Sequence, residues 1–392
     1  MKKQLILLNI FIGSLLTTSV LAANEVNVLS HIESQLGMAQ KEQCQWPIWQ
    51  SFKQNYISNG RVIDNSDSRS ITTSEGQSYG LFFALIANDK MAFQSLLNWT
   101  EKNLADGDLT GQLPAWLWGT LPNGQQGVLD RNSASDSDLW IAYSLMEAGR
   151  LWNDFYYQSL GYLLANRILR EETITVSGLG TVLLPGKQGF ILGDNHVRLN
   201  PSYVPLQLLS RMDSLLPEDQ WAAVYQSSVK VIKETMPKGA SPDWVEWNKT
   251  GFQNDRQTQD IGSYNAIRTY LWAGMLPNND VNKAIILHQM RPIVLELEKG
   301  KGMPEVFNAQ TGEMTNRGSV GINAAILPLL SAAESTQIAD IYAQKIKDSL
   351  ATIKNGSYYN SVLTLFGLGW YEGLYQFEND GSVTPRWIHV CQ

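Results

Sequence analysis

Residues 72–104 read TTSEGQSYGLFFALIANDKMAFQSLLNWTEKNL. Two helices are written into this stretch. Ser78 to Asn88 carries no charge at all. In the second half Phe93, Leu96, Leu97, Thr100 and Leu104 recur at i, i+3, i+4, the period of a helix with one apolar face. An uncharged helix must be buried, whereas an amphipathic one lies over something else. Asn88-Asp89-Lys90 joins the two, and so short a joint makes antiparallel neighbours. The stretch therefore predicts an inner helix covered by an outer one.

The pattern spreads along the chain. Further helical stretches are expected near 47–57, 136–150, 155–170, 202–212, 218–236, 264–275, 282–299, 321–330, 335–350 and 358–372. Leu160, Leu163, Leu164 and Ile168 carry the helical period, as do Ile338, Ile341, Tyr342, Lys345 and Ile346. Pro277-Asn278-Asn279-Asp280 is a second short joint. First members of the pairs, 321–330 and 358–372 among them, carry little charge and second members carry more. An inner ring of helices wrapped by an outer ring fits this alternation. No fixed repeat length exists, which argues against a solenoid. Ile174-Thr175-Val176 and Thr181-Val182-Leu183-Leu184 flank a glycine turn and predict one small β-hairpin on an all-α protein.

Composition limits the function. With 44% hydrophobic and 17% charged residues in 392, the chain can bury a sizeable core and is no disordered linker. Thirty Lys and Arg against 37 Asp and Glu give a net charge of −7 without a basic patch, which argues against nucleic acid or an anionic membrane as partner. Thirteen Trp and 15 Tyr beside 11 Phe favour rings that join a flat apolar face to a polar handle, as a sugar-binding surface uses. His31, His196, His288 and His389 have no metal-ligand spacing, so neither metal nor cofactor is expected.

The ends point to export. Met1-Lys2-Lys3, the apolar run Leu5–Val20 and the small-residue site Val20-Leu21-Ala22 read as a signal peptide over residues 1–22. No second apolar run is long enough for a membrane anchor, so the periplasm or the exterior is the expected destination. Residues 23–43 are a polar lead, and one folded domain is expected over 44–392. Cys44 and Cys391 bracket that domain; in an oxidising compartment they are expected to pair, the alternative being two free thiols.

Three polar clusters stand at the starts of first-of-pair helices: Thr72–Gly80, Asn132–Asp138 and Asp260–Arg268. If those helices run the same way, their N-termini gather at one end of the ring. Ser78 and Ser135 can be read simply as helix caps. Glu75 fits that role less well, since Gly76 and Gly80 beside it leave room for a ligand. A carboxyl near a second one, here Asp136, in a cleft walled by Tyr and Trp has a raised pKa, which a general acid needs at neutral pH. Arg268, one turn after Asn265, is placed to orient either carboxyl. Trp116 and Trp118 alternate in Leu113–Gly119 and share a direction if that loop is extended; they are read as sugar platforms or as packing.

These clusters, with Arg61–Asp64, Val128–Asp130, Glu147–Trp152, Leu183–Lys187, Asn200–Tyr203, Ser241–Val245 and Val362–Gly367, resemble glycoside hydrolase family 8. The similarity runs from Cys44 to Cys391 and is greatest to the periplasmic endoglucanase branch that accompanies bacterial cellulose synthesis. It implies an (α/α)6 barrel of six inner and six outer helices, a β-1,4-glucan substrate, inverting hydrolysis and no metal. It also makes the cellulose synthesis and export machinery an expected partner. By the resemblance Glu75 is the proton donor and Asp136 holds the sugar at the cleavage point. Trp116, Trp118, Tyr203, Tyr264 and Arg268 are then expected to bind substrate.

Two positions depart from the family's text. Ser137 replaces the usual Ala or Gly, and Asn265 stands where the cellulase branch has the Asp that serves as base. An amide positions a water but cannot take its proton. Asp243, Glu246, Asp255 and Asp260 are the candidate substitutes. Two functions follow: an endo-β-1,4-glucanase, or a glucan-binding protein with little or no turnover.

Overall fold

The computed structural model describes residues 44–353 and 357–391. The expected signal peptide and polar lead lie outside the described residues. The described chain forms two units. In the smaller, residues 44–46 meet residues 386–391, and a disulfide joins Cys44 to Cys391 across a separation of 347 positions. The larger unit, residues 47–385, carries the rings of helices.

Its helices are α1 (Pro47–Tyr56), α2 (Ser74–Ile86), α3 (Lys90–Leu104), α4 (Ser135–Trp152), α5 (Phe155–Glu172), α6 (Leu206–Leu215), α7 (Trp221–Glu234), α8 (Ile267–Gly274), α9 (Lys283–Gln289), α10 (Arg291–Leu297), α11 (Val320–Ala325), α12 (Leu327–Ala332), α13 (Thr336–Ile353) and α14 (Tyr358–Tyr371). The inner ring is α2, α4, α6, α8, α11 with α12, and α14; α3, α5, α7, α9 with α10, α13 and α1 cover them in that order. This is an (α/α)6 barrel. The joints expected from sequence are real turns. Asp89 and Asp154 cap α3 and α5 with their carboxylates, and Asn88 and Asn153 before them take left-handed φ values of 52° and 55°, which Asn tolerates.

Aromatic rings fill the axis. Trp140 of α4 meets Phe82 of α2 at 4.8 Å, Trp272 of α8 at 5.3 Å and Phe366 of α14 at 5.4 Å. Phe83 and Phe366, 4.6 Å apart, close the ring between its first and last inner helices. Glycines let inner helices touch backbone to backbone. A Cβ on Gly367 would lie 1.9 Å from the Ala324 carbonyl oxygen, and one on Gly274 would lie 2.2 Å from the Leu329 nitrogen.

Several boundaries differ from expectation, for identifiable reasons. The helix expected over 282–299 divides at Met290 and that over 321–330 at Ile326, because Pro292 and Pro328 lack the N–H that a continuous helix needs. The stretch 202–212 becomes a 3₁₀ turn, Pro201–Tyr203, followed by α6 after Pro205. Helix α2 starts at Ser74 rather than Ser78, since Thr73 caps it by accepting from the Gly76 N–H. Glu75 therefore sits inside the first turn. The expected hairpin is present as Thr173–Val176 against Gly180–Leu183. It is not alone. His196–Leu199 and Val245–Asn248 pair in a four-stranded sheet. Short sheets containing Thr72–Thr73 and Ile261–Gly262 lead into α2 and α8. Strands of two to five residues are too short to show a clear alternating pattern. Among the described residues no helix is long and apolar enough to cross a membrane.

The contact at Gly367 is testable. Gly367→Ala forces α14 away from α11 and is expected to cost about 1–3 kcal/mol in urea unfolding, as overpacking of a filled core does. Unchanged stability would show that the two backbones are not in contact.

Candidate active site

The inner helices do bring their N-termini together. Ser74 at the start of α2 and Ser137 at the start of α4 bond through their hydroxyls at 2.6 Å. The Ser74 N–H donates to the Trp116 carbonyl at 3.0 Å, and the Trp116 N–H donates to Asn132 O at 2.8 Å. Residue 116 thus pins the two helix starts side by side. Glu75 and Asp136 lie in the first turns of α2 and α4, where unpaired backbone N–H groups favour negative charge.

Arg268, in the first turn of α8, is the hub. It is 7% exposed. Its Nη2 donates to Ser202 Oγ at 3.1 Å and Asn265 Oδ1 at 3.2 Å, and reaches Asp136 Oδ2 at 3.5 Å. Its Nη1 donates to Tyr359 Oη at 2.9 Å. The Tyr359 hydroxyl in turn donates to the Tyr264 carbonyl at 2.8 Å, fixing the loop that carries Asn265. Two residues of inner helices, Asp136 and Tyr359, and two from the segments leading into α6 and α8, Ser202 and Asn265, thus converge on one guanidinium.

The two carboxyls feel this crowding. Burial, then the charge of Asp136, pushes Glu75 up to about 8, while Arg268 works in the opposite direction. Burial also raises Asp136, to about 6, against the pull of Arg268 and of the Ser137 N–H. Both move up, and Glu75 moves further. At neutral pH the arrangement holds one protonated carboxyl beside one carboxylate, as general-acid chemistry requires.

The other expected residues separate into groups. Tyr203 joins the centre, with the Arg268 guanidinium 5.6 Å from its ring. Tyr264 lies at the rim, 42% exposed, and donates to Glu305 Oε1 at 2.7 Å. Asn265 is half-buried beside Arg268. Trp116 is half-buried, but Trp118 is only 9% exposed. Arg61 covers Trp118 at 4.1 Å, and Trp99 meets its edge at 5.3 Å. The reading of Trp118 as a platform is therefore corrected: it is a packing residue. The space beside Gly76 and Gly80 is also taken by protein. A Cβ on Gly76 would lie 2.8 Å from Tyr358 Oη, and one on Gly80 3.2 Å from a Val62 methyl. Neither Ser78 nor Ser135 caps a helix; Thr73 and Ala134 hold those positions.

None of the four substitute carboxylates takes the place of Asn265. Asp255 is paired with Arg198, and Glu246 with His196 and Arg256. Asp243 accepts from Ser263 N at 2.9 Å, Ser263 Oγ at 2.7 Å and Ala266 N at 2.7 Å, so it supports the loop beneath Asn265. Asp260 belongs to the turn before Ile261 and accepts the Ala309 N–H through its carbonyl. Sequence reasoning missed Tyr359, whose signal was a tyrosine in the first turn of a low-charge inner helix. It also missed Trp244, which stacks on Phe190 at 6.0 Å and lies 5.9 Å from Tyr203, extending the aromatic wall away from the acids.

Comparison with known proteins agrees with this fold. The model of the family described as glycosyl hydrolases family 8 matches residues 31–373. An endoglucanase of Escherichia coli (strain K12) is 46% identical over 353 residues, which are 89% of this chain and 93% of that one. The crystal structure of endo-1,4-D-glucanase from Vibrio fischeri ES114 is 67% identical with a TM-score of 0.87, covering 88% of this chain and 100% of that one. Endoglucanase Cel10 of Klebsiella pneumoniae, 24% identical with a TM-score of 0.69 over 83% of this chain and 98% of its own, shares the fold. Family match, barrel and paired carboxyls lead to one conclusion: the chain belongs to glycosyl hydrolases family 8 and is a glycoside hydrolase.

Proposed function

We propose that the protein is an endo-β-1,4-glucanase that hydrolyses cellulose-type glucan with inversion. The observation that carries the reading is the pair Glu75–Asp136, raised unequally at the meeting of α2 and α4. Glu75 protonates the bridging oxygen as its bond to the anomeric carbon breaks. Asp136, held as a carboxylate by Arg268, binds the distorted sugar and stabilises its developing positive charge. Water adds to the opposite face near Asn265 and releases its proton to bulk water, since the amide cannot take it. Trp116, Tyr203 and Tyr264 offer ring faces and hydroxyls to neighbouring sugar units. The relatives named endoglucanase support the substrate class. Export to the periplasm and action beside the cellulose synthesis and export machinery complete the proposal, resting on the reading of residues 1–22 and on the resemblance.

Asn265 favours a second reading. An inverting enzyme places its base about 6.5–9.5 Å from the acid, and an amide cannot serve. A glucan-binding protein with little turnover would keep the groove and the acids while lacking that base.

A reducing-sugar assay on a soluble cellulose derivative separates the two. Turnover by the wild type that drops about 10²–10⁴-fold in Glu75→Gln supports the hydrolase. Binding without turnover supports the second reading, and Asn265→Asp should then restore cutting. An inactive wild type that Asn265→Asp does not improve would contradict the placement of the base.

The pH profile follows from the two carboxyls, which titrate as a coupled pair. Glu75 must hold its proton, so kcat/KM should fall as pH rises through about 8. Asp136 must be ionised, so it should also fall as pH drops through about 6. Arg268 lowers both groups, so Arg268→Gln should move both limbs upward. Limbs that stay in place would show that Arg268 does not act on the pair.

A further inference from the structure

Two residues along α4 from Asp136, a further carboxyl is buried with a partner from α5. Asp138 and Glu172, the last residue of α5, are both 0% exposed. The two carboxyls are near enough for each to act on the other's charge. Ser133 Oγ donates to Glu172 Oε1 at 2.5 Å. No N–H or O–H of the described residues reaches either Asp138 oxygen or Glu172 Oε2. Ionised carboxylates only accept, so two of them here would leave three buried acceptors without a donor and add like-charge repulsion. A proton held by one of the two supplies the missing donor.

We propose that Asp138 and Glu172 share one proton and act as a positioning pair that locks the start of α4, and with it Asp136, to the end of α5. The surroundings support the lock. The Leu184 N–H donates to the Glu172 carbonyl at 2.7 Å, and the Ser135 N–H donates to Pro185 O at 3.0 Å. The Lys187 N–H donates to Ser133 Oγ at 3.0 Å. Glu172 thus binds both the segment before Asp136 and the loop at 184–187. The charged neighbours favour retention of the proton. Asp136 on α4, Glu75 on α2 and Glu171 on α5 are all acids. The nearby cations Arg167 and Lys187 are paired with Glu171 instead. Burial foremost, with these charges, raises Asp138 and carries Glu172 up to about 8.

The positioning role rests on the reading of Asp136 as the substrate-holding carboxylate; the shared proton does not. Glu172→Gln and Asp138→Asn each replace the proton with an amide N–H donor. The melting temperature of the full chain is followed from about pH 5 to 9 for wild type and both variants. An unfolded carboxyl loses its proton near its ordinary value of about 4. The native pair keeps one, so it binds more protons than the unfolded chain and wild-type stability falls as pH rises toward about 8. The variants lack this component, so their melting temperature should rise relative to wild type across that window. Parallel curves would overturn the shared proton, whatever the fate of Glu75 in catalysis. For the positioning role, Glu172→Ala should lower kcat about tenfold to a hundredfold and Gln at 172 should recover most of it. A kcat unaffected by Ala, or an Ala loss that Gln does not recover, would overturn that role.

Discussion

The structure depends on burying acids where helix starts converge. Asp136, Asp138 and Glu172 are almost wholly buried, and Glu75 is half-buried beside Asp136. Ionised and unpaired, they would cost several kcal/mol each. Three devices make the burial tolerable: helix N-termini that face Glu75 and Asp136, a single guanidinium bonded on several sides, and protons retained on part of the set. In the proposed mechanism the same devices serve the chemistry. Because burial opposes charge, Glu75 keeps a proton to give, and because Arg268 opposes burial at Asp136, that group remains able to ionise near neutral pH.

The rings of helices exist, in this view, to hold that convergence. Trp140, Trp272 and Phe366 fill the axis below the acids. Backbone contacts at Gly274 and Gly367 leave little freedom for inner helices to slide. Short strands before α2 and α8 set where each helix begins. A shift of one residue in the start of α2 would rotate Glu75 about 100° around the helix, away from Asp136. Scaffold precision and acid strength are thus parts of one constraint.

Much of this was legible in the sequence. The uncharged run after Ser78 and the period from Phe93 to Leu104 foretold an inner and an outer helix, and Thr72–Gly80, Asn132–Asp138 and Asp260–Arg268 foretold the site. What escaped was set by tertiary contact. Trp118 has the same chemistry as Trp116, and only the neighbouring Arg61 and Trp99 show that it is covered. Gly76 suggested room for a ligand, while the space belongs to Tyr358. Asp138 and Glu172 are 34 positions apart in the sequence and belong to different helices, so no spacing rule would have joined them. The breaks at Met290 and Ile326 followed from Pro292 and Pro328, which the helical period had masked.

The central claim is that Glu75 holds its proton at neutral pH because the fold desolvates it and sets it beside Asp136. Carbon-13 NMR of labelled glutamate side chains, with Glu75 assigned by comparison to Glu75→Gln, reads that proton without any turnover. The account predicts a titration midpoint near 8 that falls when Asp136 is replaced by Asn. A midpoint at the ordinary glutamate value of about 4.3, unmoved by that replacement, would contradict it.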